Sequence, residues 1–147
     1  YESNFLENEL VIKLEPSDCR SSLVKYLEIL CRDANKITIC DNYFSEGWDN
    51  TKSIFSAVFP RHTLDIKYVE VPDSINAVKH ATKITQAYLD SICTDWNAST
   101  STEYEGSHDR YLLIESNISK VEVMISSGFD HIWKTNPKEI TCVVRCL

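Results

Sequence analysis

Hydrophobic and polar residues alternate along this chain with two periods, one typical of strands and one typical of helices. From Glu9 to Glu15 every second side chain is apolar, which predicts a strand with one buried face. Pro16-Ser17-Asp18 opens a stretch with helical spacing of leucines, so we expect a helix here with Ser17 as its N-cap. The short, mostly apolar run from Lys36 to Asp41 is typical of a buried strand.

The middle of the chain continues this alternation. A second helix is predicted from Asn50 through Phe59, because Pro60 ends it. Leu64 to Val71 reads as another buried strand, and Pro72 to Ile92 as the longest helix, with its apolar residues at helical spacing. The polar, small-residue stretch from Asn97 to Ser107 predicts a mobile loop.

The last third is predicted to contain closely spaced strands at Arg110–Glu115, Lys120–Ser126 and Glu139–Cys146, with a short turn or helix over Phe129–Thr135. Strands and helices that alternate before such a run are typical of the α/β class. We therefore expect a single domain over residues 1–147, with a central mixed sheet flanked by helices on both faces. The first half of the sheet should be parallel, and Arg110–Glu115 should lie in its interior.

Charge and hydropathy disfavour some classes of function without excluding them. The formal net charge is −7, which disfavours nucleic acid and anionic membranes as partners unless basic residues cluster locally. No apolar window approaches the length of a membrane span. The chain begins with Tyr1 rather than methionine, so we expect a fragment of a longer protein.

The six cysteines include no Cys-x-x-Cys pair. Cys142 and Cys146 are the two nearest in sequence, but four strand residues separate their Cα atoms by about 13 Å, too far for a disulfide or a shared zinc ion. We expect free thiols, most of them buried, in a reduced cytoplasmic protein. No pattern of metal ligands, and no motif for a cofactor, is present in the sequence.

The stretch with the most distinctive chemistry is His108-Asp109-Arg110, followed by an apolar strand and Glu115. On an extended strand His108 and Arg110 point to the same face, because side chains alternate. A guanidinium offers a planar fork to phosphate oxygens, and an imidazole can attack phosphorus or donate a proton. The alternative is a loop histidine next to an exposed strand cation.

Motifs in the second half of the chain resemble those of the phospholipase D superfamily. Its His-x-Lys-x4-Asp motif stands here as His108, Arg110 and Glu115, and its small-residue turn as Ser126-Ser127-Gly128. Within the superfamily the chain is similar to the C-terminal domain of MIT-domain proteins and its bacterial relatives. Those domains show Asp-Pro-Tyr, His-Asp-Arg and Gly-Leu-Asp, which stand here as Asp41-Asn42-Tyr43, His108-Asp109-Arg110 and Gly128-Phe129-Asp130.

The resemblance implies half of a phospholipase D-like fold, acting as a non-catalytic recognition module for a phosphate-bearing ligand or a protein partner. Arginine and glutamate replace the family's lysine and aspartate, and the chain has one motif where the active enzymes bring two together. The ligand-binding residues that the resemblance implies are Asp41, Tyr43, His108, Asp109, Arg110, Ser126, Ser127 and Asp130.

Two other functions stay open. One is a phosphodiesterase or nuclease that is active as a homodimer through a phosphohistidine on His108, with Arg110 and Glu115 as the other catalytic residues. The other is an oligomerisation domain with a vestigial site.

Several residues also have structural interpretations. Asp109 could form a surface ion pair, and Glu115 could orient a partner or simply end its strand. Asp130 could cap the following turn or contact Arg110, and Tyr43 could belong to the core or to a wet rim. The remaining histidines lack spaced partners and are interpreted as surface or structural: His62, His80 and His131.

Overall fold

The computed structural model describes residues 2–4, 9–41, 47–69, 83–107 and 109–147. The strands of these ranges are β1 (Glu2–Asn4), β2 (Glu9–Leu14), β3 (Lys36–Cys40), β4 (Leu64–Val69), β5 (Trp96–Ser101), β6 (Arg110–Glu115), β7 (Lys120–Ile125) and β8 (Ile140–Cys146). The helices are α1 (Ser21–Cys31), α2 (Trp48–Thr51), α3 (Ser53–Ala57), α4 (Gln86–Asp90) and a 3₁₀ helix (Phe129–Ile132).

The eight strands of the described ranges form one mixed sheet in the order β1-β2-β8-β7-β6-β3-β4-β5. The strands β3, β4 and β5 are parallel to one another, and every other pairing is antiparallel. The predicted α/β class is confirmed, and β6 lies in the interior between β7 and β3. The expectation of a parallel first half is wrong for β2, which pairs antiparallel with β8 on the other side of the sheet.

The main hydrophobic core covers one face of the sheet. Ile37 and Ile39 of β3 and Leu112 of β6 point into it, as their alternation requires. Leu27 of α1 and Phe55 of α3 are fully buried in the same core. In the described ranges the helices pack on this one face, and most of the predicted helix from Pro72 lies outside those ranges.

The helices begin or divide at other residues than the sequence predicts. The helix α1 begins at Ser21 with Arg20, not Ser17, at its N-cap position. Thr85 is extended (φ −130°, ψ 158°), and its hydroxyl accepts a hydrogen bond from the Tyr88 amide at 3.1 Å. A continuous helix to Ile92 is therefore wrong for residues 83–85. The single helix predicted from Asn50 is two short ones, α2 and α3.

The polar stretch after Asn97 is the largest error in the sequence-based assignment, since β5 occupies Trp96–Ser101. Trp96 is fully buried and lies opposite Leu64 of β4. The strand is polar because it lies at the end of the described sheet and has one solvated face. Such a strand lacks the apolar alternation that marks the others.

All six cysteines are free, but only half of them are buried, so the expectation that most are buried is wrong. The buried ones are Cys31, Cys40 and Cys142. Cys93 is half-buried, and Cys19 and Cys146 are exposed. None of the helices in the described part of the chain is long and apolar enough to cross a membrane.

Candidate functional site

A pocket of about 270 Å³ opens where β3 ends and β6 begins. Asp41 directly follows β3, and Arg110 is the first residue of β6. Because these strands are antiparallel, with Cys40 opposite Tyr111, the end of one meets the start of the other. The pocket is lined by Asp41, Gly47, Arg110, Gly128, Asp130, His131, Lys134 and Lys138.

Asp41 and Arg110 form an ion pair on one side of this pocket. The Asp41 carboxylate is 2% exposed, and its Oδ1 lies 3.6 Å from Nε of Arg110, whose side chain is 20% exposed. A carboxylate so deeply buried requires a cation or several donors beside it. Arg110 supplies the cation, and the pair fixes the guanidinium at the lip of the sheet.

Two glycines allow Asp130 to approach the backbone closely. A Cβ atom at Gly47 would lie 2.7 Å from both Cβ and Cγ of Asp130, and a Cβ at Gly128 would overlap its Oδ1. Gly128 has φ −59° and ψ 152°, which any residue adopts, so it is the space and not the backbone conformation that requires glycine. The two glycines therefore hold the Asp130 side chain between them.

An aromatic cluster fixes the position of Gly47. The next residue, Trp48, packs edge-on against Tyr88 with ring centroids 5.1 Å apart, and against Phe55 at 6.2 Å. These contacts anchor α2, which packs against the 3₁₀ helix that carries Asp130. Trp48 is half-buried, packs against the core, and thereby holds Gly47 beside the pocket.

The pocket has more positive than negative side chains. Lys134 Nζ lies 3.8 Å from Asp130 Oδ2, whereas Lys138 makes no ion pair with a side chain of the described ranges. Three cations face two carboxylates here, so with His131 neutral the pocket carries a local excess of positive charge in a chain of net charge −7. Such an excess favours an anionic ligand.

His131 lines the pocket although the sequence indicated only a surface or structural residue. It is 8% exposed, and its Nδ1 accepts a hydrogen bond from the Lys138 amide at 3.1 Å. Burial lowers the pKa of His131, the cations Lys134, Lys138 and Arg110 act in the same sense, and Asp130 opposes them. The imidazole is therefore neutral at pH 7. The one feature of the sequence that could have indicated a role for His131 is its position directly after the Gly128-Phe129-Asp130 motif.

The other residues expected at the site lie elsewhere or outside the described ranges. His108 and Tyr43 lie outside them, so their contacts are not described. Asp109 is exposed, and its amide donates to Oγ of Ser107 at 3.3 Å. Glu115 lies at the far end of β6, about 16 Å along the strand from Arg110.

Glu115 forms ion pairs with two lysines at its own end of the sheet. Its carboxylate oxygens lie 3.3 Å from Lys36 Nζ and 3.8 Å from Lys120 Nζ. It does not line the pocket with Arg110. Glu115 is the last residue of β6, and its carboxylate is paired at that end of the strand.

Ser126 and Ser127 join the beginning of the connection between β7 and β8 to its end. The Ser126 hydroxyl accepts from the Thr141 amide, and the Ser127 hydroxyl donates to the Glu139 carbonyl, each at 2.9 Å. Neither lines the pocket. Asp130 contacts the side chains of Lys134 and His131, and no side chain caps its 3₁₀ helix.

No protein-family model matches the chain. No curated protein matches it either. Among solved structures, the chain is similar to a polyphosphate kinase from Porphyromonas gingivalis, with a TM-score of 0.52 and 10% identity, over 93% of this chain and 23% of that one. The chain thus corresponds to about a quarter of that protein, and at this identity the likeness concerns the fold.

Proposed function

We propose that this chain is a phospholipase D-like recognition module that binds a phosphate-bearing ligand without turning it over. We further propose that it is related to the C-terminal domain of MIT-domain proteins and acts in the cytoplasm. Support for that relationship comes from the three motifs in order, beginning at Asp41, His108 and Gly128. The first and last of these motifs, together with Arg110 of the second, contribute side chains or backbone to one pocket.

The observation that carries the proposal is the set of cations around Arg110. Asp41 orients the guanidinium, while Lys134 and Lys138 approach from the segment after the 3₁₀ helix. A guanidinium with lysines beside it suits phosphate oxygens, since charge-assisted hydrogen bonds to them are among the strongest in proteins. The similar solved structure is a polyphosphate kinase by name, and a phosphate-bearing ligand accords with that name.

Binding without turnover is supported by what the motif lacks. Arginine stands where the active family has lysine, and it holds its proton more tightly. Glu115 is engaged by Lys36 and Lys120 away from the pocket. The chain contains a single copy of the motif, whereas the family's chemistry requires one histidine to attack and a second to protonate the leaving group.

Calorimetric titration with inorganic pyrophosphate at low salt tests the binding. We expect Arg110→Gln to weaken binding at least tenfold, because about 1.5–3 kcal/mol of charge-assisted hydrogen bonding is lost. Arg145→Gln is the matched control, since it removes the same charge from an exposed arginine paired with Glu9 at 3.1 Å. Equal losses in both variants, or no binding by the unmodified chain, would reject a phosphate ligand and leave a protein partner as the candidate.

A hydrolysis assay tests the absence of turnover. The chain is incubated with bis(p-nitrophenyl) phosphate and with single-stranded DNA, alongside His108→Ala. We expect no hydrolysis above background, because a lone motif lacks acid–base assistance that typically contributes about 10²–10⁴-fold in rate. Robust hydrolysis that His108→Ala abolishes would instead support the dimeric phosphodiesterase.

A further inference from the structure

We propose that Arg20 is a positioning residue, which holds the segment 131–138, here called the lysine loop, in the shape that presents Lys134 and Lys138 to the pocket. The part of this inference that concerns ligand affinity rests on the proposed function. The part that concerns the shape of the loop does not.

Arg20 ties together the two ends of the lysine loop. Its Nε donates to the carbonyl of His131 at 3.1 Å, and its Nη2 donates to the carbonyl of Lys138 at 2.9 Å. The side chain reaches residues 111 and 118 positions away in sequence, and Arg20 is only 8% exposed. A buried guanidinium that bonds both ends of a loop restricts the distance between them.

The same guanidinium is itself fixed to the sheet. Its Nη1 donates to the carbonyls of Glu15 at 2.9 Å and Asp18 at 2.7 Å, within the turn after β2. That turn is closed by the Glu15 amide, which donates to Asp18 Oδ2 at 2.7 Å. Leu14, the last residue of β2, lies opposite Ile140, the first residue of β8. The turn after β2 and the end of the lysine loop therefore lie side by side, where these two strands meet.

His131 completes the closure from inside the loop. Its Nδ1 accepts the Lys138 amide, and only a neutral imidazole has a nitrogen that can accept, because both ring nitrogens of the protonated form are donors. The charged groups facing it are Asp130, Lys134, Lys138 and Arg110. The protonation of His131 therefore reports whether the loop is closed.

The hydrogen bonds that the Arg20 guanidinium donates to the four carbonyls are here called the clamp. The variant Arg20→Lys tests the clamp separately from the positive charge. Lysine keeps the positive charge, but one ammonium cannot span four carbonyls as a planar fork does. Arg32→Lys is the matched control, since Arg32 is an exposed arginine directly after α1. Two quantities are compared between the variants: the pKa of His131, from its imidazole proton resonances, and the affinity for inorganic pyrophosphate. The urea midpoint shows that each variant is folded.

We expect Arg20→Lys to raise the pKa of His131 towards 6.5, the ordinary value, and to weaken pyrophosphate binding about tenfold, as when one charge-assisted contact is lost. The Arg32→Lys control should change neither quantity. An unchanged His131 pKa in a folded Arg20→Lys protein would overturn the inference on the shape of the loop, and an unchanged affinity would overturn the part on ligand binding. If the unmodified chain binds no pyrophosphate, the proposed function fails, while the His131 pKa still decides the clamp.

Amide hydrogen exchange in the unmodified chain gives a second test, which stands even if Arg20→Lys does not fold. We expect the Lys138 amide to exchange as slowly as the paired amides of β8, because its bond to His131 is shielded by the clamp. Exchange of Lys138 at the rate of an exposed loop amide would contradict a closed loop.

Discussion

Because Asp130 approaches Gly128 closely, we expect Gly128→Ala to destabilise the protein. Glycine-to-alanine changes at an ordinary backbone conformation typically stabilise a protein by about 0.4–1 kcal/mol, through the unfolded chain. Here the new Cβ would overlap Asp130 Oδ1 and lie 3.6 Å from its Cγ. Such overpacking typically costs about 1–3 kcal/mol. Because only a carboxylate oxygen must move, we expect a net decrease of about 1 kcal/mol in the free energy of unfolding.

The second half of the prediction is a rescue. In an Asp130→Ala background the atoms that the new Cβ meets on Asp130 are gone, so Gly128→Ala should become stabilising by about 0.5 kcal/mol. Gly47→Ala is the matched contrast. Its Cβ would lie 2.7 Å from the Cβ of residue 130, and alanine keeps that atom, so no rescue is expected.

Urea unfolding followed by tryptophan fluorescence measures these differences. With a denaturant slope of about 1–3 kcal/mol per molar, a loss of 1 kcal/mol lowers the midpoint by roughly 0.3–1 M. The double-mutant cycle should give a coupling of about 1.5 kcal/mol for residues 128 and 130. A stabilising Gly128→Ala in the unmodified background, or one that stays destabilising beside Asp130→Ala, would refute the steric argument.

Three further predictions concern other parts of the molecule. Tyr104→Phe removes a hydroxyl that donates to Glu122 Oε2 at 2.7 Å, so unfolding in urea should become easier by about 1–2 kcal/mol; an unchanged midpoint would count against this bond. Because burial lowers the pKa of His131, the unfolded chain binds more protons between the folded pKa and 6.5, so stability should fall as the pH drops below about 6.5. His131→Asn should flatten this dependence, and parallel stability curves would contradict it. Alkylation should modify six thiols after denaturation, but in the native state the buried thiols, whose pKa burial raises to about 11 or 12, should be protected: Cys31, Cys40 and Cys142. Rapid native modification of these, or fewer than six thiols, would contradict the structure.

The parts of the fold with strong local signals could be predicted from the sequence. The apolar runs of β3 and β6 have the expected period, and the resemblance carried by Asp41-Asn42-Tyr43 implied Asp41 as a ligand-binding residue. The strand β5 could not be found in this way, because its polar residues lie at the end of the described sheet. Thr85 lies within a helical pattern of apolar residues but is the extended N-cap of α4. The residue type alone did not show that a helix begins there.

The candidate site shows the same division between local and long-range information. Arg110 and Asp130 belong to short motifs, so their sequence neighbours drew attention to them. Arg20 and Lys138 are 118 positions apart, and no periodicity connects a guanidinium to a carbonyl at that distance. Such contacts become visible only when β2 and β8 pair and bring their adjoining turns together.

The most direct test of a phosphate-binding pocket is the location of the ligand in solution. Amide proton–nitrogen spectra are recorded while inorganic pyrophosphate is added to the isotopically labelled chain at low salt. We predict saturable shifts at the amides of Gly47, Gly128, Asp130 and His131, with little change in β5. Saturable shifts confined to another surface, or none at all at millimolar pyrophosphate, would contradict the central claim.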